Sequence, residues 1–203
     1  MKILIFDFDG TIANTSDLII DVIGQHIPGF NRSKYINLSR AYYEDKKFLS
    51  YLKVLYYELF LLGRIKKIRH IINERILDTS PIAGIQEVLD KLKTKSDLYI
   101  ISSNFPENIS QFLKKNNMDY FKEVYGEGSL FHKAKTISEV KKKYLKADEI
   151  YYIGDELRDM QAARKANVKE VGVTWGMNSK KDFEEFGTKV ILEKVEQLLE
   201  LAS

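Results

Sequence analysis

Short apolar runs alternate with longer amphipathic segments along most of this chain, and this alternation limits the fold more than any other feature. We predict strands at residues 1–8, 98–102, 123–125, 149–153 and 168–173. Each run is rich in β-branched and aromatic residues and is too short for a buried helix. Helical patterns occupy residues 81–92, 106–115, 133–144, 157–166 and 195–201. The alternation predicts an α/β fold, with a Rossmann-like parallel sheet covered by helices on both faces.

Residues 14–80 interrupt this alternation. They contain helical patterns at 16–27, about 39–62 and 65–77, and no convincing strand. Pro28-Gly29 ends the first pattern and Gly63 ends the second, as these residue types commonly do. This much helix directly after the first strand predicts an α-helical cap inserted over residues 14–80. The α/β core would then comprise residues 1–13 and 81–203.

Polar side chains that directly follow the predicted strands mark a candidate site. They are Asp7, Asp9 and Thr11 after the first strand, Ser103 and Asn104 after the second, and Asp155, then Asp159, after the fourth. In open α/β sheets, ligands bind beyond the carboxyl ends of the strands, so these side chains should meet at one edge. Buried carboxylates cost several kcal/mol unless a cation or hydrogen-bond donors meet them.

The chemistry of these residues indicates a metal and a phosphoryl group. Three acids in one pocket, Asp7, Asp9 and Asp155, would raise one another's pKa values unless a divalent cation neutralised them. Oxygen ligands without nitrogen or sulfur favour Mg²⁺. Lys133 opens a later helix, and its ammonium, with a hydroxyl and backbone N–H groups, would form a cradle for a phosphoryl group.

Four segments in this order resemble the motifs of the haloacid dehalogenase superfamily. They are "DFDGT", "ISSN", a lysine that opens a later helix, and "IGDELRD". The resemblance covers essentially the whole chain and is greatest to phosphoglycolate-phosphatase-like members with a helical cap after the first strand. "DxDGT" followed by "GDxxxD" at this separation is highly specific, whereas "SSN" and the lysine alone are weak signals.

The resemblance implies a role for each candidate residue. Asp7 would be the nucleophile that becomes an aspartyl-phosphate, and Asp9 would act as acid and base. The residues that would bind the substrate phosphate are Thr11, Ser103, Asn104 and Lys133. Mg²⁺ would be held by Asp7, the Asp9 carbonyl and Asp155, with Asp159 orienting the site from outside. Lys135 stays an alternative to Lys133, because "SLFHKAK" lacks the usual Lys-Pro pair.

The implied activity is Mg²⁺-dependent hydrolysis of a small phosphomonoester. A phosphohexomutase, a phosphonate hydrolase or a dehalogenase on the same fold stays open, as does a receiver-like binding module that is phosphorylated only as a signal. Asp9 disfavours the dehalogenase, because a leaving halide needs no proton, and the large cap disfavours the receiver. Phosphoglycolate, a nucleotide, a sugar phosphate and pyrophosphate all fit as substrates.

Composition limits partners and location. The chain has 32 Lys and Arg against 29 Asp and Glu, a net charge of +3, which makes no case for nucleic acid. The absence of cysteine excludes disulfide and thiol chemistry and fits a reducing compartment. Asp7 interrupts the N-terminal apolar run too early for a signal peptide, and "VLYYELFLLG" is too short to cross a bilayer. We therefore expect a cytoplasmic monomer or homodimer that acts on a small phosphorylated metabolite away from membranes.

Overall fold

A computed structural model of the chain describes residues 2–27, 29–44, 65–126, 133–144, 147 and 149–202. In this part of the chain, six parallel strands form one sheet: β1 Lys2–Phe6, β2 Ser96–Ser102, β3 Glu123–Gly126, β4 Glu149–Gly154, β5 Lys169–Val173 and β6 Ile191–Leu192. Their order across the sheet is β3-β2-β1-β4-β5-β6. Because β1 lies between β2 and β4, its carboxyl end stands in the middle of the sheet edge. The predicted Rossmann-like parallel α/β core is confirmed.

Helices cover both faces of the sheet, as predicted. The described helices are α1 Ser16–His26, α2 Arg32–Glu44, α3 Ile65–Ile76, α4 Ile85–Leu92, α5 Pro106–Lys115, α6 Lys133–Lys143, α7 Leu157–Ala166 and α8 Lys180–Glu185, followed by a 3-10 helix at Val195–Ala202. Successive residues of a strand point to opposite faces. Leu4 and Phe6 therefore pack with α4, α5 and the 3-10 helix, while Ile3 and Ile5 pack with α6 and α7. None of the helices described is long and apolar enough to cross a membrane.

Several boundaries differ from the predicted ones. The helix expected to begin at Pro81 begins at Ile85, because Pro81 pairs with Ala13 in an isolated bridge and Gly84 has a left-handed φ of 78°. The helix expected from about residue 39 begins at Arg32, and residues 45–62 of that pattern lie outside the described residues. The strand β6 and the helix α8 were not predicted. The predicted C-terminal helix is a 3-10 helix.

The chain leaves the core after β1 and returns to it at an adjacent point. Asn14 donates a backbone hydrogen bond to the Ser80 carbonyl at 2.9 Å, and Ile82 donates one to the Ile12 carbonyl at 2.9 Å. Between these points, α1 packs against α3. These contacts support the proposal that residues 14–80 are an inserted cap.

Candidate active site

The chain turns sharply directly after β1. The backbone N–H groups of residues 11–13 all donate to the Phe8 carbonyl, at 2.9 to 3.3 Å, and Gly10 has a φ of 71°. The strand ends at Phe6, two residues earlier than predicted: the Asp7 N–H still donates to the Ile153 carbonyl of β4 at 2.8 Å, and the turn then begins at the Phe8 carbonyl. The turn also places the carboxylates of Asp7 and Asp9 against different partners.

Buried carboxylates meet beyond the ends of β1 and β4. Asp7, Asp155 and Asp159 offer oxygen atoms that lie within 4.8 Å of one another, and all three residues are at most 2% exposed. The Asp7 Oδ1 atom is buried and has no hydrogen-bond partner among the described residues. The sequence had suggested Asp9 as the third acid of the pocket. Asp159 completes the carboxylate cluster instead, where "carboxylate cluster" denotes Asp7, Asp155 and Asp159.

A slot lined by backbone holds the Asp155 side chain. A Cβ atom on Gly10 would lie 2.1 Å from Asp155 Oδ2, and one on Gly176 would lie 2.3 Å from it, so both positions need glycine. Thr11 Oγ1 donates to Asp155 Oδ1 at 3.2 Å, and the Met177 N–H donates to Oδ2 at 2.8 Å. The carboxylate is therefore fixed in orientation as well as in position.

Lys133 supplies a buried positive charge to the carboxylate cluster. Its Nζ atom lies 3.0 Å from Asp7 Oδ2 and 2.7 Å from Asp159 Oδ1, and the side chain is 7% exposed. Burial alone would lower the pKa of Lys133, but the charges of Asp159 and Asp7 raise it well above the usual value. Lys135 is 75% exposed, and its ion pair within the described part of the chain is with Glu139, at 3.9 Å. The structure therefore brings Lys133, and not Lys135, to the site.

Negative charge still exceeds positive charge around Lys133. Burial raises the pKa of Asp155 well above its usual value, and the charges of Glu156, Asp159 and Asp7 raise it further. Burial also raises the pKa of Asp159 to about 6, although Lys133 opposes this change. A divalent cation that takes oxygen ligands would offset this excess and would also satisfy the unpartnered Asp7 oxygen. The residues present therefore fit a divalent metal.

The Asp9 carboxylate is partly buried and has its own hydrogen-bond donors. Thr15 Oγ1 donates to Asp9 Oδ1 at 3.0 Å, and Asn104 Nδ2 lies 3.1 Å from Oδ2 and 3.4 Å from Oδ1. Burial, followed by the charge of Asp7, raises the pKa of Asp9 to about 6, against the hydrogen bonds from Asn104 and Thr15, which lower it. A carboxyl group with a pKa near neutrality is suited to both giving and taking a proton.

Ser103 and Asn104 follow β2, as the sequence predicted. The Asn104 backbone N–H donates to Ser102 Oγ at 3.1 Å. Ser103 is partly exposed, and no hydrogen bond joins its side chain to the residues that the structure describes. The Ser103 hydroxyl is therefore free to meet a ligand at the end of β2.

A family model for haloacid dehalogenase-like hydrolases matches residues 4–173 of this chain. The chain belongs to that family. A phosphoglycolate phosphatase from Synechococcus elongatus is 26% identical and covers 98% of this chain and 96% of its own length. The pyrophosphatase PpaX from Bacillus cereus is 22% identical, and the match covers 100% of this chain and 98% of the relative's length. A solved haloacid dehalogenase-like hydrolase from Streptococcus pneumoniae shares the fold, with a TM-score of 0.72 and 18% identity. The match covers 98% of this chain and 96% of the solved one. The predicted superfamily and the prediction of a hydrolase are confirmed.

Sequence reasoning missed two parts of this haloacid dehalogenase-like site. Thr15 was not among the candidate residues, yet its hydroxyl donates to Asp9 Oδ1. The loop at 174–178 after β5 contributes the Met177 N–H to Asp155, and Trp175 Nε1 donates to the Thr11 carbonyl at 3.2 Å. Polar residues do follow the β5 run, so the rule that identified the other strand ends would have identified this loop.

Proposed function

We propose that this protein is a Mg²⁺-dependent phosphatase that hydrolyses a small phosphomonoester through an aspartyl-phosphate on Asp7. The observation that carries the proposal is the state of Asp7, which is buried with Oδ2 on Lys133 and Oδ1 without a partner among the described residues. A second carboxyl group, that of Asp9, lies two residues away with a pKa raised to about 6. A nucleophile beside an acid and base of suitable pKa is the arrangement that two-step phosphoryl transfer requires.

In the first step, an oxygen of Asp7 attacks phosphorus, and the bond from phosphorus to the ester oxygen breaks. Asp9, in its acid form, gives its proton to the departing oxygen, so that an alcohol leaves. Lys133 holds the other Asp7 oxygen in place and offsets charge on the phosphoryl group. Ser103 would contact the phosphoryl oxygens, and the Asn104 backbone N–H would do so only after it releases the Ser102 hydroxyl oxygen that it meets at 3.1 Å. Thr11 would do so only after its hydroxyl exchanges Asp155 for the phosphate.

In the second step, water attacks the phosphorus of the aspartyl-phosphate. Asp9, now a carboxylate, takes a proton from that water, and the bond between phosphorus and the Asp7 oxygen breaks. The products are inorganic phosphate and the original Asp7 carboxylate. Proton transfer of this kind typically contributes about 10²- to 10⁴-fold to the rate.

The metal would bind to Asp7, the Asp9 carbonyl and Asp155, next to Asp159. When bound, Mg²⁺ would offset the negative charge of the carboxylates and of the phosphoryl group. The chain's own contribution is to keep Asp155 oriented, through the Met177 N–H and, until substrate binds, through the Thr11 hydroxyl, and to keep Asp159 paired with Lys133.

The proposed cap at residues 14–80 would select the substrate, since the core supplies only phosphoryl chemistry. Its helix α2 contacts the core beside Asp155: Tyr35 OH donates to Glu156 Oε2 at 2.8 Å, and Arg32 Nη1 donates to the Gly176 carbonyl at 3.1 Å. The names of the relatives make phosphoglycolate and pyrophosphate the first substrates to test. The lack of cysteine fits action in a reducing compartment such as the cytoplasm.

A substrate panel tests this proposal. The purified protein is incubated with phosphoglycolate, pyrophosphate, a nucleotide, a sugar phosphate and nitrophenyl phosphate, with Mg²⁺ or with a chelator, and released phosphate is measured. We expect turnover that needs Mg²⁺ and disappears in Asp7→Asn. Turnover that survives thorough chelation, or that persists in Asp7→Asn, would contradict the proposal.

A further inference from the structure

A second amide lies behind Asn104 and the Asp9 carboxylate. Asn108, the third residue of α5, donates from Nδ2 to Asn104 Oδ1 at 3.2 Å. The same Asn104 oxygen accepts the Phe105 backbone N–H at 2.8 Å. Asn104 Nδ2 is left facing Asp9, at 3.1 Å from Oδ2. Asp9, Asn104 and Asn108 thus form a continuous chain of hydrogen bonds from the site into α5.

The partners of Asn104 fix which end of its amide faces Asp9. An ionised carboxylate only accepts hydrogen bonds and a backbone N–H only donates them. The Asn104 NH₂ must therefore face Asp9, and its carbonyl must face Phe105. A flipped amide would bring oxygen against oxygen at Asp9 and donor against donor at Phe105. Asn108 adds a second donor on the carbonyl side and so strengthens the same orientation.

The far end of this chain of hydrogen bonds is rigid. Asn108 stands in the first turn of α5, which begins with Pro106 and carries Ile109 and Phe112 fully buried in the core. Thr15 touches only Oδ1 of Asp9, so that single contact leaves the carboxyl plane able to rotate. Asn104 reaches both oxygens and sets the plane.

We propose that Asn108 is a positioning residue for proton transfer by Asp9, acting through the amide of Asn104. The inference rests on the proposed function, because it assumes that Asp9 gives a proton to the leaving group. Proton transfer requires an aligned donor and acceptor within hydrogen-bond distance, so a carboxyl group that turns loses assistance before it loses binding.

Two variants with opposite structural effects test the inference. Asn108→Ala removes one neutral hydrogen bond, and we expect kcat/KM for phosphoglycolate, an alkyl ester, to fall about three- to tenfold. The value for nitrophenyl phosphate should change less than about twofold, because that leaving group needs little protonation. Asn108→Asp has nearly the same shape but sets an acceptor against the Asn104 oxygen, which favours the flipped amide. It should lower the alkyl-ester value more than Asn108→Ala does.

Thermal unfolding distinguishes a positioning role of Asn108 from a role in stabilising the fold. An acidic residue in the first turn of a helix is favourable and opposes the cost of the mismatched amide, so Asn108→Asp should unfold no earlier than Asn108→Ala while losing more alkyl-ester kcat/KM. A purely structural role would lower both ester activities together and would make the isosteric variant the milder one. The matched control is Asn116→Ala at the other end of α5, where Asn116 Nδ2 donates to the Phe112 carbonyl at 2.9 Å. Its ratio of alkyl to aryl kcat/KM should equal that of the parent.

Asp9→Asn, measured beside these variants, tells the two possible failures apart. A selective loss of alkyl-ester kcat/KM, which reports the first transfer step, in Asp9→Asn, with parent-like ratios in both Asn108 variants, would overturn the positioning role and leave the proposed function intact. Equal losses of kcat/KM on both esters in Asp9→Asn would overturn the role of Asp9 in protonating the leaving group, and the positioning role with it. The expected result is that all three variants lose more kcat/KM on the alkyl ester than on the aryl ester.

Discussion

Replacing Lys133 by methionine should strongly destabilise the metal-free protein. The Lys133 ammonium lies 3.0 Å from Asp7 and 2.7 Å from Asp159, with only 7% of the side chain exposed. Breaking a buried ion pair by removing one partner typically costs about 3–5 kcal/mol, because the other charge stays buried without compensation. For a domain of this size, 1 kcal/mol corresponds to roughly 2–4 °C in Tm, so we expect a fall of about 6–20 °C.

The assay is thermal or urea unfolding in the presence of a chelator, with Lys135→Met as the matched control. Lys135 is two residues away, 75% exposed and 3.9 Å from Glu139, so its loss should change the free energy of unfolding by less than about 0.5 kcal/mol. Lys133→Met combined with Asp159→Asn should recover part of the lost stability, because the second change removes one of the uncompensated charges.

Two results would refute this reasoning. If the free energy of unfolding of Lys133→Met in chelator were within about 1 kcal/mol of the parent's, the stability of the buried carboxylates would not depend on the ammonium. If both lysine variants lost the same stability, Lys133 would not be distinguished as the site lysine.

Further predictions concern the metal site and the cap. Mg²⁺ at a hundred times its Kd should stabilise the protein by about 2.7 kcal/mol, which corresponds to a rise of roughly 5–11 °C in Tm. Scanning calorimetry measures this rise, and its absence would contradict a metal site. Asp155→Asn should abolish that rise without lowering the metal-free Tm, because it relieves like-charge repulsion; a large metal-free loss would favour a structural role. Gly176→Ala should also abolish the rise, since its Cβ would lie 2.3 Å from Asp155, whereas Gly24→Ala, with 3.4 Å to its nearest neighbour, should keep it. Joining Ala13 to Pro81 removes the proposed cap and should reduce discrimination among esters more than nitrophenyl phosphate cleavage; unchanged selectivity would place recognition in the core.

The sheet and its functional edge could be predicted because buried parallel strands are continuous apolar runs. A polar residue directly after such a run must lie at the carboxyl end of the strand. Asp7 and Asp155 follow β1 and β4, which are neighbours in the sheet, so their meeting follows from topology. The strand β6 has two residues and the helix α8 has six. They were not predicted, because elements this short show no hydrophobic period.

The partner of each side chain could not be predicted, because one residue type can satisfy several roles. Asp159 serves two at once: Oδ2 accepts the Glu156 backbone N–H at 3.1 Å, as a helix cap would, and Oδ1 pairs with Lys133. Asp9 follows Asp7 by two residues and was expected to share its pocket. The turn onto the Phe8 carbonyl gives Asp9 other donors, and no sequence pattern showed that turn.

The central claim is that Asp7 carries the phosphoryl group and that Asp9 moves the protons. It is tested most directly by mixing Asp9→Asn with nitrophenyl phosphate and Mg²⁺, quenching within milliseconds, and measuring nitrophenol release and the mass of the intact protein. We predict a burst of about one nitrophenol per enzyme, a slow steady state, and a protein heavier by one phosphoryl group located on Asp7 by peptide mapping. A steady rate without a burst, no added mass at any quench time, and equal losses on alkyl and aryl esters would contradict the account.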